Sequence, residues 1–373
     1  MNTSLFSKRV AALRERLNKL PCDTAWIIQP ENRRYLSGFK AEDNQLTELS
    51  GSLLINKTQA ILVTDSRYSL EAEKEAIDFE VHTIQQGLIE GFPEILERMG
   101  TEKLGFEEDH LTWGLHGQLT EALGALSPPV SLKPLKGLVE EMREIKDNLE
   151  VKALEASADL MSEILDTVIR GLKPGLTERE VAWQIETLAR EAGAESLAFP
   201  SIVASGPNSA LPHAVPTDRK LKTKEPIILD VGVRLDTYRS DMTRTVFLGE
   251  PEPDLKIIYM TVRQAQLAAL KEVRPGVESC HPDAIARQII NDAGFGEYFG
   301  HGLGHGVGLA THERPRLAPQ KPVKLKKGMV VTVEPGIYIP GKGGVRLEEM
   351  VVIEADGPRI LTKNSHFYDF KPQ

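Results

Sequence analysis

Cysteine is almost missing from this chain. Two thiols, Cys22 and Cys280, among 373 residues can build neither a disulfide framework nor a Cys-rich zinc site. They fit a reducing, cytoplasmic compartment. Long apolar runs are also lacking. No stretch approaches the roughly 20 residues of a membrane span, and the first helix expected, residues 4–20, carries charges every few positions instead of the apolar core of a signal peptide. Positive charge is in deficit, with 45 Lys and Arg against 54 Asp and Glu and a net charge of -9. That argues against general nucleic-acid binding, which needs clustered cations on phosphates. What remains, 41% hydrophobic and 27% charged residues, is an ordinary globular mixture, long enough for two domains.

Residues 24–28, 51–56, 60–64, 80–84 and 103–106 read as strands, alternating with helices at 69–76 and near 92–99. The stretch 29–34 reads as a polar turn. This alternation predicts an α/β N-terminal domain over 1–133. The Pro- and Gly-rich segment 126–137 reads as the boundary. Residues 134–373 then read as an α+β domain. Long helices are expected at about 138–171, after Thr177, at about 255–273 and after His281-Pro282, between β-rich stretches at 226–249 and 329–354. Thr177 followed by Glu180 has the form of a capping box.

Each β-rich stretch places an acid on either side of a turn. In 226–249 the midpoint of Asp230 and Asp241 lies between Leu235 and Asp236. A hairpin turning there sets the two carboxylates opposite each other, their Cβ atoms about 4.5–5.5 Å apart. In 328–353 the midpoint of Glu334 and Glu348 is Gly341, within P-G-K-G-G. Facing carboxylates in apolar strands repel unless a cation neutralises them or they share a proton. Of nine histidines, His301, His305 and His312 fall in G-H-G-L-G-H-G-V-G-L-A-T-H, where alternate glycines allow close backbone approach. Carboxylate oxygens with one imidazole suit two divalent ions (Mn, Co, Zn or Fe), which balance four carboxylates in charge and activate a shared water. G-I-Y-I-P-G-K-G (336–343) misses the P-loop pattern at its last residue, and neither H-E-x-x-H nor G-x-S-x-G occurs.

Asp230, Asp241, His305 in G-H-G-V-G, Glu334 in V-E-P-G and Glu348 in V-R-L-E together resemble the pita-bread metallopeptidases: methionine aminopeptidase, aminopeptidase P and prolidase. The resemblance covers about 138–373. The first 130 residues are similar to the creatinase-type N-terminal domain, which points to the Xaa-Pro branch. It implies an α+β pita-bread catalytic domain behind an α/β creatinase-like domain. It also implies a dinuclear-metal peptidase that hydrolyses the Xaa-Pro bond at a substrate N-terminus. Asp230, Asp241, His305, Glu334 and Glu348 become metal ligands, with manganese the first choice of ion. Glu334 serves also as general base, and His312 and His213 as donors to the substrate carbonyl. His301 and Arg346 stand behind the ligands.

Arg316 resembles the prolidase arginine that binds a dipeptide's C-terminal carboxylate, although Arg314 is a second basic side chain close by. The lean is toward a dipeptidase acting on proline-containing dipeptides or short peptides, and a homodimer is implied. Aminopeptidase P activity on longer peptides, creatinase-like hydrolysis without metal, and a non-catalytic peptide- or protein-binding module are the alternatives.

Overall fold

The computed structural model describes residues 4–370 apart from Asn44, Leu46, Gln86 and Ser365. The chain divides into two compact units between Met142 and Arg143.

Six strands of the first unit form one mixed sheet: β1 (Thr24–Ile27), β2 (Gly51–Ile55), β3 (Ala60–Asp65), β4 (Glu80–Ile84), β5 (Lys103–Phe106) and β6 (Ser131–Pro134), in the order β4-β3-β2-β1-β5-β6. The pairs β1–β2 and β2–β3 are antiparallel; β3–β4, β1–β5 and β5–β6 are parallel. Trp26, Leu54, Phe92, Leu104 and Leu119 are buried together between sheet and helices. The expected α/β layering is therefore present, with two corrections. Residues 29–34 are no turn; they open the helix Pro30–Ser37, with Pro at its first position and Gly38 closing it in the left-handed region. The Pro- and Gly-rich segment 126–137 supplies the edge strand β6, where Pro134 loses nothing by lacking an N–H.

The second unit has two halves, each a sheet backed by a helix pair. In the first, the helices Asn148–Gly171 and Glu178–Glu191 bury Leu165, Val168 and Ile185 against Leu229, Val231 and Val246. These lie on a sheet of β8 (Ile202–Ser205), β9 (Pro226–Val231) and β12 (Met242–Phe247), while β7 (Ser196–Leu197), β10 (Val233–Leu235) and β11 (Tyr238–Arg239) form a second small sheet. In the other half, the helices Pro253–Glu272 and Cys280–Asp292 bury Tyr259, Val262 and Ile290 against Val331, Val333 and Val351. That sheet holds β13 (Gly304–Gly306), β14 (Glu313–Leu317), β15 (Val330–Val333), β18 (Glu349–Glu354) and β19 (Gly357–Ile360), with β16 (Gly336–Ile339) and β17 (Gly343–Arg346) paired beside it. Thr177 does form a capping box with Glu180. The single helix expected at 138–171 is instead two, Leu138–Arg143 and Asn148–Gly171, because Asp147 and Glu150 form a second capping box that starts a new helix. No helix of the described residues is long and apolar enough to cross a membrane.

Glu107 closes the N-terminal sheet against the helix Pro30–Ser37. Its carboxyl accepts from Ile28 N (2.6 Å), Gln29 N (2.7 Å) and Asn32 Nδ2 (2.6 Å). Burial nevertheless wins and pushes its pKa up to about 7. The native carboxyl then binds more protons than the unfolded one between the ordinary value of 4.5 and about 7. Its contribution to stability is full below that window and falls as pH rises through it. Unfolding free energies of the wild type and Glu107→Gln, compared at pH 5 and pH 8, test this: the wild type should lose stability relative to the variant as pH rises. A constant difference contradicts it.

Candidate metal centre

The two hairpins meet edge to edge, with Glu348 N donating to Thr243 O (3.1 Å) and Arg346 N to Thr245 Oγ1 (3.1 Å). In the first hairpin the turn is Asp236-Thr237, with φ of 45° and 69°, and Leu235 pairs with Tyr238. These signs fit a type I′ turn. The turn lies one residue later than expected, so Asp230 pairs with Thr243, and the same register sets Asp241 against Gly232. The acids are thus diagonal neighbours on one face instead of directly opposite. A shift of two residues in partner preserves the face. A Cβ at Gly232 would lie 2.1 Å from Ser240 O, so only glycine admits this crossing.

The second hairpin turns where expected. Gly336 pairs with Arg346 and Val333 with Glu349, a register that sets Glu334 against Glu348. His305 enters from β13, whose neighbouring strands approach so closely that a Cβ at Gly304 would lie 2.0 Å from Thr332 O and one at Gly306 2.3 Å from Arg314 O. The alternate glycines therefore serve strand packing, and the imidazole is the one side chain β13 sends into the site.

Asp241, His305 and Glu348 bring ligand atoms within 4.8 Å of one another. His305 Nε2 lies 3.3 Å from Glu334 Oε1 and 3.7 Å from Asp241 Oδ2. The ring's Nδ1 is 3.0 Å from Gly306 O. A carbonyl can only accept, so Nδ1 carries a proton and Nε2 is the ring nitrogen turned to the carboxylates; it donates to Glu334, and once deprotonated it is the atom that would face a metal. Asp230 Oδ2 accepts from Arg346 Nη2 at 2.6 Å, whereas its buried Oδ1 has no partner among the described residues.

Electrostatics point the same way. Burial raises the pKa of Asp241 well above the usual range, and Glu348, Asp230 and Glu334 add to it. Burial, then Glu334 and Asp230, do the same to Glu348. Asp230 is raised by burial and by Glu334 against the pull of Arg346. Burial also works against ionised Glu334, but the hydrogen bond and charge of His305, with His301 and Arg346, hold it at about 2. The cluster is thus short of positive charge, and its donor set of carboxylate oxygens with one imidazole nitrogen fits hard or borderline divalent cations.

The remaining expected residues surround this cluster. Arg346 donates to Asp230, to Tyr338 Oη (2.8 Å), to Thr243 Oγ1 (3.1 Å) and to Pro212 O (3.2 Å). His301 has both ring nitrogens engaged, Nδ1 with Gly302 O (2.8 Å) and Nε2 with Tyr338 Oη (2.9 Å). It therefore faces the network of Arg346, with no lone pair left for the cluster. His312 lies edge-on to His305 at a ring-centre distance of 4.3 Å. Burial, then His305, Arg316 and His213, lower its pKa, so all four basic groups lie within electrostatic reach. His213 and Arg316 are exposed, and Arg316 pairs with His305 across β13 and β14.

Three residues were not anticipated from the sequence. Thr243 Oγ1 donates to Glu348 Oε2 (2.8 Å), and Thr332 Oγ1 accepts from His305 N (3.1 Å) and donates to Glu334 Oε1 (3.1 Å). Tyr338 joins His301 to Arg346. Thr243 was legible in principle, since the true turn places it opposite Asp230; Thr332 and Tyr338 carry no signal beyond lying near Glu334. Thr332→Val keeps shape and removes both hydrogen bonds. It should weaken Mn(II) binding by about tenfold in calorimetry with an unchanged circular dichroism spectrum. Unchanged affinity contradicts the role.

Known proteins match this architecture along its length. A family model described as metallopeptidase family M24 matches residues 152–355, and one described as the Creatinase/Prolidase N-terminal domain matches 9–145. An uncharacterized peptidase of Bacillus subtilis, YqhT, is 37% identical over 95% of this chain and 97% of its own. The Xaa-Pro dipeptidase of Pyrococcus horikoshii is 34% identical over 96% and 98%. Among solved structures, an Xaa-Pro dipeptidase from Bacillus anthracis superposes with a TM-score of 0.90 at 36% identity, covering 96% of this chain and 98% of that one. An X-Pro aminopeptidase from Thermotoga maritima does so with 0.83 at 33%, covering 94% and 97%. With residues 152–355 matched by the metallopeptidase model and a creatinase-type unit matched ahead of them, the chain belongs to metallopeptidase family M24.

Proposed function

We propose that the protein is a divalent-metal-dependent Xaa-Pro dipeptidase. The observation that carries this is the convergence of Asp241, His305 and Glu348 beside Glu334 and the half-partnered Asp230, with His305 Nε2 aimed at the carboxylates. Five side chains, Asp230, Asp241, His305, Glu334 and Glu348, would hold two ions. When bound, the ions supply Lewis acidity toward the scissile carbonyl and lower the pKa of a water. Manganese is the first choice of ion, a homodimer the assembly by family resemblance, and the cytoplasm the compartment that the two thiols fit.

The protein's own groups do the rest. Glu334 accepts the proton of the attacking water and passes it to the proline nitrogen as the bond breaks. His312 and His213 donate to the carbonyl oxygen as negative charge grows on it. Arg346 fixes one oxygen of Asp230 and leaves the other for an ion. Arg316 receives the dipeptide's carboxylate, a charge-assisted interaction that a longer peptide cannot make. Two relatives named Xaa-Pro dipeptidase, from Pyrococcus horikoshii and Pyrococcus furiosus, support the dipeptide reading. The Thermotoga maritima neighbour supports the second reading, an Xaa-Pro aminopeptidase for longer peptides.

Ala-Pro and Ala-Pro-Ala, assayed with added Mn(II), separate the two. Hydrolysis of Ala-Pro with little or none of Ala-Pro-Ala is expected; comparable or faster tripeptide cleavage contradicts the dipeptidase reading. Arg316→Ala should raise KM for Ala-Pro by about tenfold or more, the scale of removing one charge-assisted hydrogen bond, and leave residual tripeptide cleavage unchanged. Equal losses on both substrates would remove the carboxylate-binding role.

A further inference from the structure

His312 has no hydrogen bond to its ring among the described residues. Among the described residues its ring contact is the edge-on one with His305, and the course of its backbone places it there. That backbone is the loop between β13 and β14, and its next residue, Glu313, turns inward where His312 turns outward. The Glu313 side chain is 6% exposed, Arg143 4% and Lys146 1%. Glu313 Oε1 accepts from Arg143 Nη2 and from Ala310 N (3.0 Å), and Oε2 accepts from Lys146 Nζ (3.1 Å). A Cβ at Gly308 would lie 2.6 Å from this carboxylate, so glycine there makes room for it. Arg239 holds the outer part of the same loop, through Gly308 O (2.9 Å) and Leu309 O (2.9 Å).

One carboxylate buried between two cations is expensive. Well-packed apolar side chains of similar volume are often as stable or more so. What an ion pair supplies that apolar packing does not is direction. Its three partners converge on the residue beside His312 and tie the loop from Ala310 to Glu313 to the segment of Arg143 and Lys146. We propose that Glu313, clamped by Arg143 and Lys146, is a positioning residue that sets the His312 imidazole against the substrate carbonyl. This rests on the reading of His312 as a carbonyl donor. It gives a function to the R-E-I-K segment at the start of the catalytic unit, 167 positions in sequence from its partner.

The test is a double-mutant cycle on the Mn(II)-loaded full chain with Ala-Pro, read as kcat and KM separately. Glu313→Gln should lower kcat by about tenfold to a hundredfold, the cost of a misplaced catalytic group, with KM and Mn(II) affinity within about twofold. In a His312→Ala background the same substitution should cost no more than about twofold, because residues acting through one another are not additive. A full additional loss in that background, or an unchanged kcat in the single variant, overturns the proposal.

A second readout needs neither metal nor turnover. In metal-free protein with carbon-13-labelled histidine, Glu313→Gln should shift or split the ring signal assigned to His312 by its loss in His312→Ala. The signal of the remote His281 should stay unchanged. A His312 signal that does not move overturns the clamp. If His312→Ala leaves Ala-Pro hydrolysis intact, the reading of His312 fails while this spectrum still decides whether Glu313 positions it. Should Glu313→Gln not fold, Lys146→Gln, which removes one of the two cations, goes through the same cycle and spectrum with the same deciding outcomes.

Discussion

Four carboxylates share one buried site with too little positive charge to hold them all ionised. Asp241 and Glu348 are pushed toward their neutral forms by burial, with the neighbouring carboxylates adding to it. Glu334 escapes because His305 lies against it, with His301 and Arg346 adding to the effect, and Asp230 is partly relieved by Arg346. Taking such groups out of water costs several kcal/mol per ion, and no fold keeps four of them together without a return. Two divalent cations held there would supply it, cancelling the charge and lowering the pKa of a water.

Much of the surrounding structure follows from holding that cluster rigid. A threonine on each hairpin, Thr243 on β12 and Thr332 on β15, hydrogen-bonds a carboxylate from the side. Arg346 spreads its guanidinium over Asp230, Thr243, Tyr338 and Pro212, so one side chain ties both hairpins to the segment that carries His213. Glycines at 232 and 304 let backbones cross at distances no Cβ would tolerate. Outer partners of this kind set the tautomer and aim of the ligands, as Gly306 O does for His305.

The sequence made the chemistry legible before the geometry. Acids symmetric about a turn, a glycine-flanked histidine and their order along the chain were enough to point to the site and the fold. The second hairpin turned where its Pro-Gly signal placed it. The first did not: Asp236-Thr237 takes positive φ at two residues without glycine, so no turn signal marked the true position and the register was read two positions out. The helix Pro30–Ser37 was missed because its polar residues gave no apolar period, and its start depends on backbone donors held by the distant Glu107. Glu313 was missed for the same kind of reason: its partners, Arg143 and Lys146, lie far back in sequence, and a charged residue beside a histidine looks like surface until the loop closes over it.

The central claim is that the five converging side chains hold two ions. Calorimetric titration of metal-free protein with Mn(II) tests it most directly. Two equivalents bound per chain are expected in the wild type, and fewer in Asp241→Asn, which alters an acid placed next to the imidazole. No binding by the wild type, or the same stoichiometry and affinity after Asp241→Asn, would contradict it.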